Sequence, residues 1–311
     1  MTSMSARGRL WVYAIPYVVL AGFLYELTKD GLRYSSPEPF MAMRFLVASL
    51  VTFLLAGSFK PQINKDTLLL GCCTFISSLL WCYGLQRISA AESAVITYTM
   101  PLFAIPLSIV ILKEKPSRLG WVGAFVGFSG ITLYGLSLTG SGGTLAGELF
   151  TLGNAFFWGL YSIYYRKTRN QDAIKTVGTQ LLICGVLFSL LTPLSPNVSF
   201  TPEFLLDVGF ISTLGTVGSF LLWNTMLRRE KVGRITTLAF AVPATITIFE
   251  VVQTDTVPSL PTVSGICLMF LGIFISRFRD ITVRNHSAEA LGSQTEPPTD
   301  DADAAVGDRR R

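Results

Sequence analysis

The chain has 311 residues, of which half are apolar and only 14% carry a charge. An ordinary globular protein carries roughly 25% charged residues, so this composition excludes a water-covered soluble surface and predicts an integral membrane protein. The formal net charge is +5, but its distribution along the chain follows membrane topology, and no nucleic-acid-binding surface is needed to explain it.

Ten apolar stretches of membrane-spanning length divide the chain. A helix needs about 20 mostly apolar residues to cross a bilayer, and in lipid every backbone N–H and C=O must be paired within the chain, which favours helices. We therefore predict an all-α integral membrane fold. The sixth and eighth stretches are the most polar, since they contain Glu148 with Asn154, and Asp207, respectively. In chain order the predicted helices cover 11–28, 39–57, 67–86, 90–112, 119–138, 145–165, 174–192, 203–226, 233–253 and 262–278.

Basic residues are biased to one side of this topology. With a cytoplasmic N-terminus, 18 Lys and Arg residues lie at cytoplasmic loops or termini, and only Lys29, Arg33 and Arg87 lie on the other side. This is the positive-inside bias. We therefore predict a multi-pass protein of the cell (plasma) membrane with both termini in the cytoplasm. Residues 1–10 form the N-terminus, and residues 285–311, which have no apolar period, form a disordered tail.

The chain also contains an internal repeat. A shift of 142 residues gives 13 identities over positions 79–133, including Trp81 on Trp223, Pro101 on Pro243 and a glycine pair. Apolar composition alone does not readily place Trp, Arg, Pro, Ser and Gly in one register. The earlier helices repeat more weakly at a shift of 136, which places Tyr25 on Tyr161 and Arg44 on Gln180.

Each predicted repeat contains five helices. Because five is odd, the second repeat enters the membrane from the opposite side, and the two repeats are inverted. Such repeats recur in transporters, where they form a midplane site that is exposed to either side in turn. The predicted repeats cover residues 11–138 (helices 1–5) and 144–278 (helices 6–10).

The first repeat contains several short motifs: the run Leu80-Trp81-Cys82-Tyr83-Gly84-Leu85, then Ser93-Ala94, Pro101-Leu102, Glu114, Gly120 and Gly130. Together they resemble the EamA-type repeat of the drug/metabolite transporter superfamily. The second copy departs from this pattern, with Thr256 at the position of Glu114 and Arg234 at that of Glu92. The resemblance implies a ten-helix carrier with a central cavity lined by helices 1, 3, 4, 6, 8 and 9. It also implies a small organic substrate, such as an amino acid or drug-like compound, and a role as exporter or exchanger.

Three charged residues inside the predicted helices form a candidate coupling or gating cluster. Charges within the membrane are costly and commonly functional. Glu26, Arg44 and Glu250 all lie towards the outer ends of their helices, so Arg44 is expected to hold a carboxylate. Glu250 is the best functional candidate, because its repeat counterpart is a serine, Ser108. The alternative is a structural ion pair between helices.

Polar and aromatic residues on the predicted helices 3, 4, 6, 8 and 9 are candidates for substrate binding. Metabolite sites are largely apolar with a few placed polar groups. The alternatives for these residues are membrane-interface belts and helix packing. The candidates are Tyr83, Thr97, Tyr98, Asn154, Trp158, Tyr161, Asn224 and Phe240.

Two prolines and two glycines predict special helix geometry. Pro101 and Pro243 are repeat equivalents and should bend helices 4 and 9, either as hinges or as static bends. Gly123 and Gly127 form a GxxxG motif on helix 5, which favours close helix packing, with dimerisation as a lesser option. Monomer and homodimer both remain open.

A secondary transporter (permease) working by alternating access is the function these features favour. The sequence lacks a phosphate-binding GxxxxGK[ST] motif, and its one histidine, His286, lies in the predicted tail. ATP-driven transport and histidine-based chemistry in the membrane are therefore not expected, nor is any cofactor or metal. The predicted partners are a small-molecule substrate and the lipid bilayer, not nucleic acid. The main alternative is an intramembrane enzyme with carboxylate-based chemistry, and a channel is a weaker one.

Overall fold

The computed structural model describes the backbone of residues 8–138, 143–254 and 257–292, and these residues are helical or form loops. A π-helical stretch, Ile211–Gly218, joins two of the helices. The α-helices are α1 Gly8–Gly31, α2 Pro37–Leu55, α3 Lys65–Leu85, α4 Ala90–Thr97, α5 Pro101–Leu112, α6 Arg118–Leu136, α7 Leu145–Lys167, α8 Ala173–Leu191, α9 Pro202–Phe210, α10 Ser219–Arg229, α11 Val232–Leu238, α12 Ala241–Thr254 and α13 Leu260–Gly292.

Eight helical segments within these ranges are long and apolar enough to cross a membrane. Three of the eight combine two helices each: α4 with α5, α9 with α10, and α11 with α12. Two further helices do not meet the same criteria of length and hydropathy. Helix α7 contains Glu148 and Asn154 and is not one of the eight, and the apolar part of α13, Leu260–Ser276, is shorter. The all-helical, multi-pass membrane architecture is confirmed, and the count of ten remains a prediction.

Two of the predicted helices are interrupted. The stretches 90–112 and 233–253 are continuous in the sequence pattern, but the chain breaks at 98–100 between α4 and α5 and at 239–240 between α11 and α12. Pro101 begins α5, and Pro243 lies in the first turn of α12. Because proline has no N–H to donate, it is tolerated at a helix start and interrupts a helix interior. The two breaks fall at repeat-equivalent positions.

Side-chain caps define where most of the other helices begin. The first N–H groups of a helix have no partner within it, and a preceding Ser, Thr, Asn or Asp supplies one. Asn64 and Thr67 form a reciprocal capping box at α3. The caps of α4, α6, α7, α8 and α9 are Ser89, Ser117, Thr144, Asp172 and Thr201.

The C-terminal end differs from the prediction. Helix α13 continues to Gly292, so residues 285–292 of the predicted disordered tail are helical. This stretch contains Ala288, Glu289, Ala290 and Leu291, which are good helix formers. The rest of the tail, 293–311, lies outside the described residues, as do residues 1–7.

The two halves of the chain pack against each other through equivalent helices. Helix α6 packs on α13 and α2 packs on α8, which are pairs of repeat counterparts. Helix α3 packs on α7, and α1 packs on α10. In the repeat, α3 corresponds to α10 and α7 corresponds to α1, so the α3–α7 contact and the α1–α10 contact are equivalent. The same helix pairs are therefore in contact when the two halves are interchanged.

Two glycine pairs bring α6 and α13 into backbone contact. A Cβ atom added to Gly123 would lie 2.5 Å from the carbonyl oxygen of Gly272, and one added to Gly130 would lie 2.6 Å from that of Gly265. The repeat relates Gly123 to Gly265, and Gly130 to Gly272. Each glycine thus packs on the counterpart of the other, so the two helices run in opposite directions. The close packing predicted for Gly123 is confirmed.

We predict that Gly130→Ala lowers the free energy of unfolding by about 1–3 kcal/mol, because the new methyl group would meet backbone atoms that cannot move aside. The measurement is thermal unfolding of the purified protein in detergent. Gly209→Ala is the control, since nothing lies within 4 Å of its added Cβ and alanine favours a helix. If both variants melt like the wild type, the α6–α13 contact is wrong.

Candidate functional site

A cavity of about 80 Å³ lies among α1, α2, α3, α7 and α10, at the point where α4 ends. Its lining residues lie well inside their helical segments, and most of its wall is apolar or aromatic. This lining has the character expected of a small-molecule site, but the volume of the cavity is smaller than the roughly 300–1,000 Å³ of most ligand pockets. Its aromatic residues are Tyr17, Tyr25, Trp81, Tyr98, Trp158 and Phe220, and its polar residues are Arg44, Ser77, Ser78, Thr97, Asn154 and Ser219.

Four of the eight predicted substrate-binding residues, Thr97, Tyr98, Asn154 and Trp158, line this cavity. Asn154 is the polar centre of the group. Its Nδ2 donates to Thr97 Oγ1 at 2.9 Å, and its Oδ1 accepts from Ser77 Oγ at 2.7 Å. One amide therefore joins α3, α4 and α7. Tyr98 follows α4 and interacts with the side chains of Tyr17 and Tyr25.

The other four predicted residues do not line the cavity. The Tyr83 hydroxyl donates to Glu38 Oε1. The Tyr161 hydroxyl donates to Asn224 Oδ1 at 2.9 Å and belongs to a buried network described below. The ring of Phe240 fills the space beside Gly127. These residues pack helices together in this structure, which is the alternative stated for them above.

Arg44 lines the cavity and is only 3% exposed. Its Nε donates to Thr216 Oγ1 at 2.8 Å, and its guanidinium carbon lies 5.1 Å from the Phe45 ring centre and 5.4 Å from that of Trp81. None of the salt bridges between described side chains includes Arg44. Sequence reasoning expected a carboxylate partner here, but the described part of the chain provides a hydroxyl and two aromatic faces.

Glu26, one of the two predicted carboxyl groups of the gating cluster, is not among the residues that line the cavity. Glu26 is half-buried on α1, one turn before Lys29. The backbone of Glu250 belongs to α12, but its side chain is outside the described residues. The cluster of Glu26, Arg44 and Glu250 therefore stays a prediction.

Sequence reasoning missed several lining residues. Tyr17, Ser77 and Ser219 have no distinguishing motif, because single serines and tyrosines are common in membrane helices. A signal did exist for Tyr25 and Trp81, since both match their repeat counterparts. The repeat register alone could not show that these side chains face the cavity, because the same residue types in the other half do not.

The repeat-equivalent residues of the second half are buried in side-chain contacts. Gln180 Nε2 donates to the Tyr161 hydroxyl at 2.9 Å. Trp223, the counterpart of Trp81, donates from Nε1 to Ser162 Oγ at 3.0 Å. None of these second-half residues lines the cavity. Tyr25, Arg44 and Trp81 line a cavity, and their second-half counterparts fill the equivalent space with contacts to one another and to neighbouring side chains.

Two basic residues form equivalent contacts at opposite ends of the bundle. Lys29 Nζ at the end of α1 donates to the carbonyl of Leu85, and also to that of Ile88 at 2.6 Å. Arg166 at the end of α7 donates to the carbonyls of Leu227 and Arg228, both at 2.7 Å. Leu85 and Leu227 are repeat equivalents. We call these contacts the Lys29 latch and the Arg166 latch.

The Arg166 latch has an additional acidic partner. One oxygen of Glu114 accepts a hydrogen bond from the Val232 N–H at 3.0 Å, at the start of α11, and the other lies 3.5 Å from Arg166 Nε. A carboxylate at a helix N-terminus is favourable. Glu114 therefore joins the loop after α5 to both α7 and α11, which belong to the other half of the chain.

Comparison with known proteins places these features in a family. The family model described as the EamA-like transporter family matches twice, over residues 9–136 and 145–278. A protein of Acidianus ambivalens described as an uncharacterized transporter in the sor 3′ region is 42% identical over 238 residues, which are 76% of this chain and 92% of that protein.

Two more distant similarities agree with this family. A probable amino-acid metabolite efflux pump of Salmonella typhimurium is 22% identical over 284 residues, covering 85% of this chain and 93% of the pump. A protein of known crystal structure superposes with a TM-score of 0.75 at 20% identity, over 88% of this chain and 98% of that one. At this identity the superposition concerns the fold alone.

We predict that Asn154→Leu lowers the free energy of unfolding by about 1–3 kcal/mol, because it leaves the buried Ser77 and Thr97 hydroxyls without their amide partner. Thermal unfolding in detergent measures this change. The matched control is Thr132→Val, which removes an exposed hydroxyl that bonds only within its own helix. Equal melting temperatures for the two variants would contradict the central role given to Asn154.

Proposed function

The chain belongs to the EamA-like transporter family, and on this premise we propose that it is a secondary transporter that carries a small organic metabolite across the cell membrane by alternating access. The observation that carries this proposal is the difference between the two equivalent residue sets. Both sets are buried, but Tyr25, Arg44 and Trp81 line a cavity, while their counterparts Tyr161, Gln180 and Trp223 pack against other side chains.

An inverted pair of five-helix repeats, ten transmembrane helices in all, is the architecture that goes with this proposal. The two matches of one family model support the repeat. The opposite directions of α6 and α13 at their glycine contacts support the inversion. In an inverted pair, the halves exchange conformations and the site opens to the other side.

The second residue set has the properties expected of a site that is closed in this conformation. Gln180 Oε1 and Asn224 Nδ2 are buried without a partner among the described residues. An unpaired buried polar atom costs free energy, so opening of this half to water or substrate would satisfy both atoms. Hydrogen bonds gained by these two atoms would therefore favour the conformation in which the second half is open.

Two sets of residues are assigned to the motion. The helix breaks at 98–100, before Pro101, and at 239–240, before Pro243, lie at corresponding places in the two halves and serve as hinges. The Lys29 latch closes the outer end and the Arg166 latch closes the cytoplasmic end, with both chain termini in the cytoplasm as the positive-inside bias indicates. Glu26 and Glu250 are the carboxyl groups proposed for proton coupling.

The direction of transport that we propose is export or exchange. The Salmonella relative is named as an efflux pump for amino-acid metabolites, which supports a metabolite as cargo and export as direction. The cavity, with its aromatic wall and few polar groups, suits one small organic molecule at a time.

Counterflow in proteoliposomes tests this function. Vesicles containing the protein are preloaded with pooled unlabelled carboxylates, amino acids, nucleosides or neutral amides, and the uptake of each labelled compound is measured with and without a pH gradient. We expect saturable uptake of one class that depends on the preload. Absence of uptake by correctly inserted protein, together with conversion of a compound without any gradient, would favour an intramembrane enzyme instead.

We predict that Glu114→Gln opens the cytoplasmic end, because it removes the charge that pairs with Arg166. A reporter cysteine at the buried Ser108, in a background without the native cysteines, should react about tenfold faster with a membrane-impermeant thiol reagent, which corresponds to about 1.4 kcal/mol. Glu148→Gln, which neutralises an exposed carboxylate at the start of α7, is the control. Unchanged labelling would remove Glu114 from the gate.

We predict that Glu250→Gln abolishes the pH dependence of transport and leaves the folded yield near that of the wild type, because the amide cannot exchange a proton. Uptake measured at several imposed pH gradients provides the readout. Ser108→Ala, at the equivalent position of the first half, is the control. A variant with wild-type pH dependence would show that Glu250 is not the coupling group.

A further inference from the structure

The cavity contains a buried positive charge that the described residues do not neutralise. Arg44 has five N–H donors, and among the described residues its hydrogen bonds reach only Thr216 Oγ1 and the Met41 sulfur. None of the described residues that line the cavity is acidic. A buried cation without a counter-charge is strongly unfavourable, so this site is incomplete in the absence of an anion.

Two more donor groups of the same cavity have no partner. Trp81 Nε1 and Ser219 Oγ are buried and have no acceptor in hydrogen-bond geometry among the described residues, although the Tyr25 hydroxyl lies near the Trp81 indole; both residues are 7% exposed. The indole N–H can only donate, and a hydroxyl can donate. Arg44, Trp81 and Ser219 therefore provide a guanidinium, an indole N–H and a hydroxyl around one cavity. A ligand group with several hydrogen-bond acceptors would pair with them.

The repeat counterpart of Arg44 shows that the fold does not need a charge at this position. Gln180 occupies the equivalent place on α8, where a neutral amide bonds to Tyr161. A guanidinium in the first half is thus an addition to the shared architecture. Arg44 lines the cavity and Gln180 does not. We therefore expect the charge of Arg44 to serve the cavity.

We infer that the cavity binds a small organic monocarboxylate whose carboxylate accepts hydrogen bonds from Arg44, Trp81 and Ser219 and whose uncharged remainder packs against the aromatic wall. This inference rests on the proposed transport function and names its substrate class. A guanidinium matches a carboxylate in bidentate geometry, and the faces of Trp158, Tyr17 and Phe220 provide apolar contact.

The charge balance separates this class from two others. A phosphate monoester carries close to two negative charges, and Arg44 is the one cation among the described residues that line the cavity. A zwitterionic amino acid also brings an ammonium group, and the described lining residues include no carboxylate to receive it. The ammonium would exchange its hydration for aromatic faces and uncharged oxygens, which do not offset the desolvation of an ion as a carboxylate would.

Two series of matched compounds test the inference on the full-length protein. The small series is propionate, propionamide, alanine and methyl phosphate, and the larger series is 3-phenylpropionate, 3-phenylpropionamide, phenylalanine and phenyl phosphate. Each compound is measured in counterflow and for its effect on the melting temperature in detergent. We expect a carboxylate to bind and be transported at least about tenfold better than the amide, the amino acid and the phosphate of its series.

Variants at Arg44 connect this preference to the proposed residue. Arg44→Gln should weaken carboxylate binding about 100-fold and remove the preference over the amide, and Arg44→Lys should restore part of it. Arg33→Gln, which removes an exposed charge outside the cavity, is the control and should bind like the wild type. Because the preference among compounds is measured in the wild type, the test does not depend on the folding of any variant.

The outcomes distinguish the two proposals. Equal transport of amide and carboxylate, a preference for the amino acid or phosphate, or full carboxylate binding by folded Arg44→Gln would overturn the monocarboxylate assignment and leave transport intact. If neither these compounds nor the wider pools of the counterflow experiment are carried, the transport function itself fails.

Discussion

A bilayer offers no water to a polar group buried within it, and the arrangement of this protein follows from that constraint. Each hydroxyl, amide and charge inside the bundle must find a partner in the chain or in a ligand. The chain meets most of this requirement internally. Asn154 joins three helices through Ser77 and Thr97, Trp223 is paired with Ser162, and capping side chains supply the first N–H groups of several helices. The few groups left over mark where the structure is incomplete.

Two of these unpaired groups lie at the cavity. Trp81 and Ser219 donate to nothing among the described residues, and both line the cavity that Arg44 also enters. Their counterparts Trp223 and Ser77 have hydrogen-bond partners. In each of these two equivalent pairs, one member is hydrogen-bonded within the chain and the other lines the cavity. Trp81 belongs to the first half and Ser219 to the second, so each half contributes an unpaired donor to the cavity.

Much of the fold can be read from the sequence, because hydrophobic length and repeat register are local or pairwise patterns. The membrane-spanning segments follow from such patterns, and the prolines at 101 and 243 predicted bends where the structure has interruptions. Four of the eight predicted substrate-binding residues line the cavity, among them Asn154 and Trp158, which combine a polar or aromatic side chain with a mid-helix position; that they bind substrate stays a prediction. The same reasoning could not separate Tyr25 from Tyr161, because the two are equivalent in the repeat. They differ in that Tyr25 lines the cavity and Tyr161 does not. The carboxylate expected beside Arg44 was an inference from charge alone, and Thr216, which bonds to Arg44, gives no such signal.

The most direct test of alternating access between the two halves is a pair of distance measurements by electron spin resonance. Spin labels replace Arg33 and Arg87 at the outer end, and the repeat-equivalent Arg169 and Arg229 at the cytoplasmic end, in separate samples; all four side chains are exposed. Upon addition of a transported compound, we expect one distance to lengthen as the other shortens, because the halves exchange conformations. Distances that both stay fixed, or that change in the same direction, in protein that transports the compound would contradict the account.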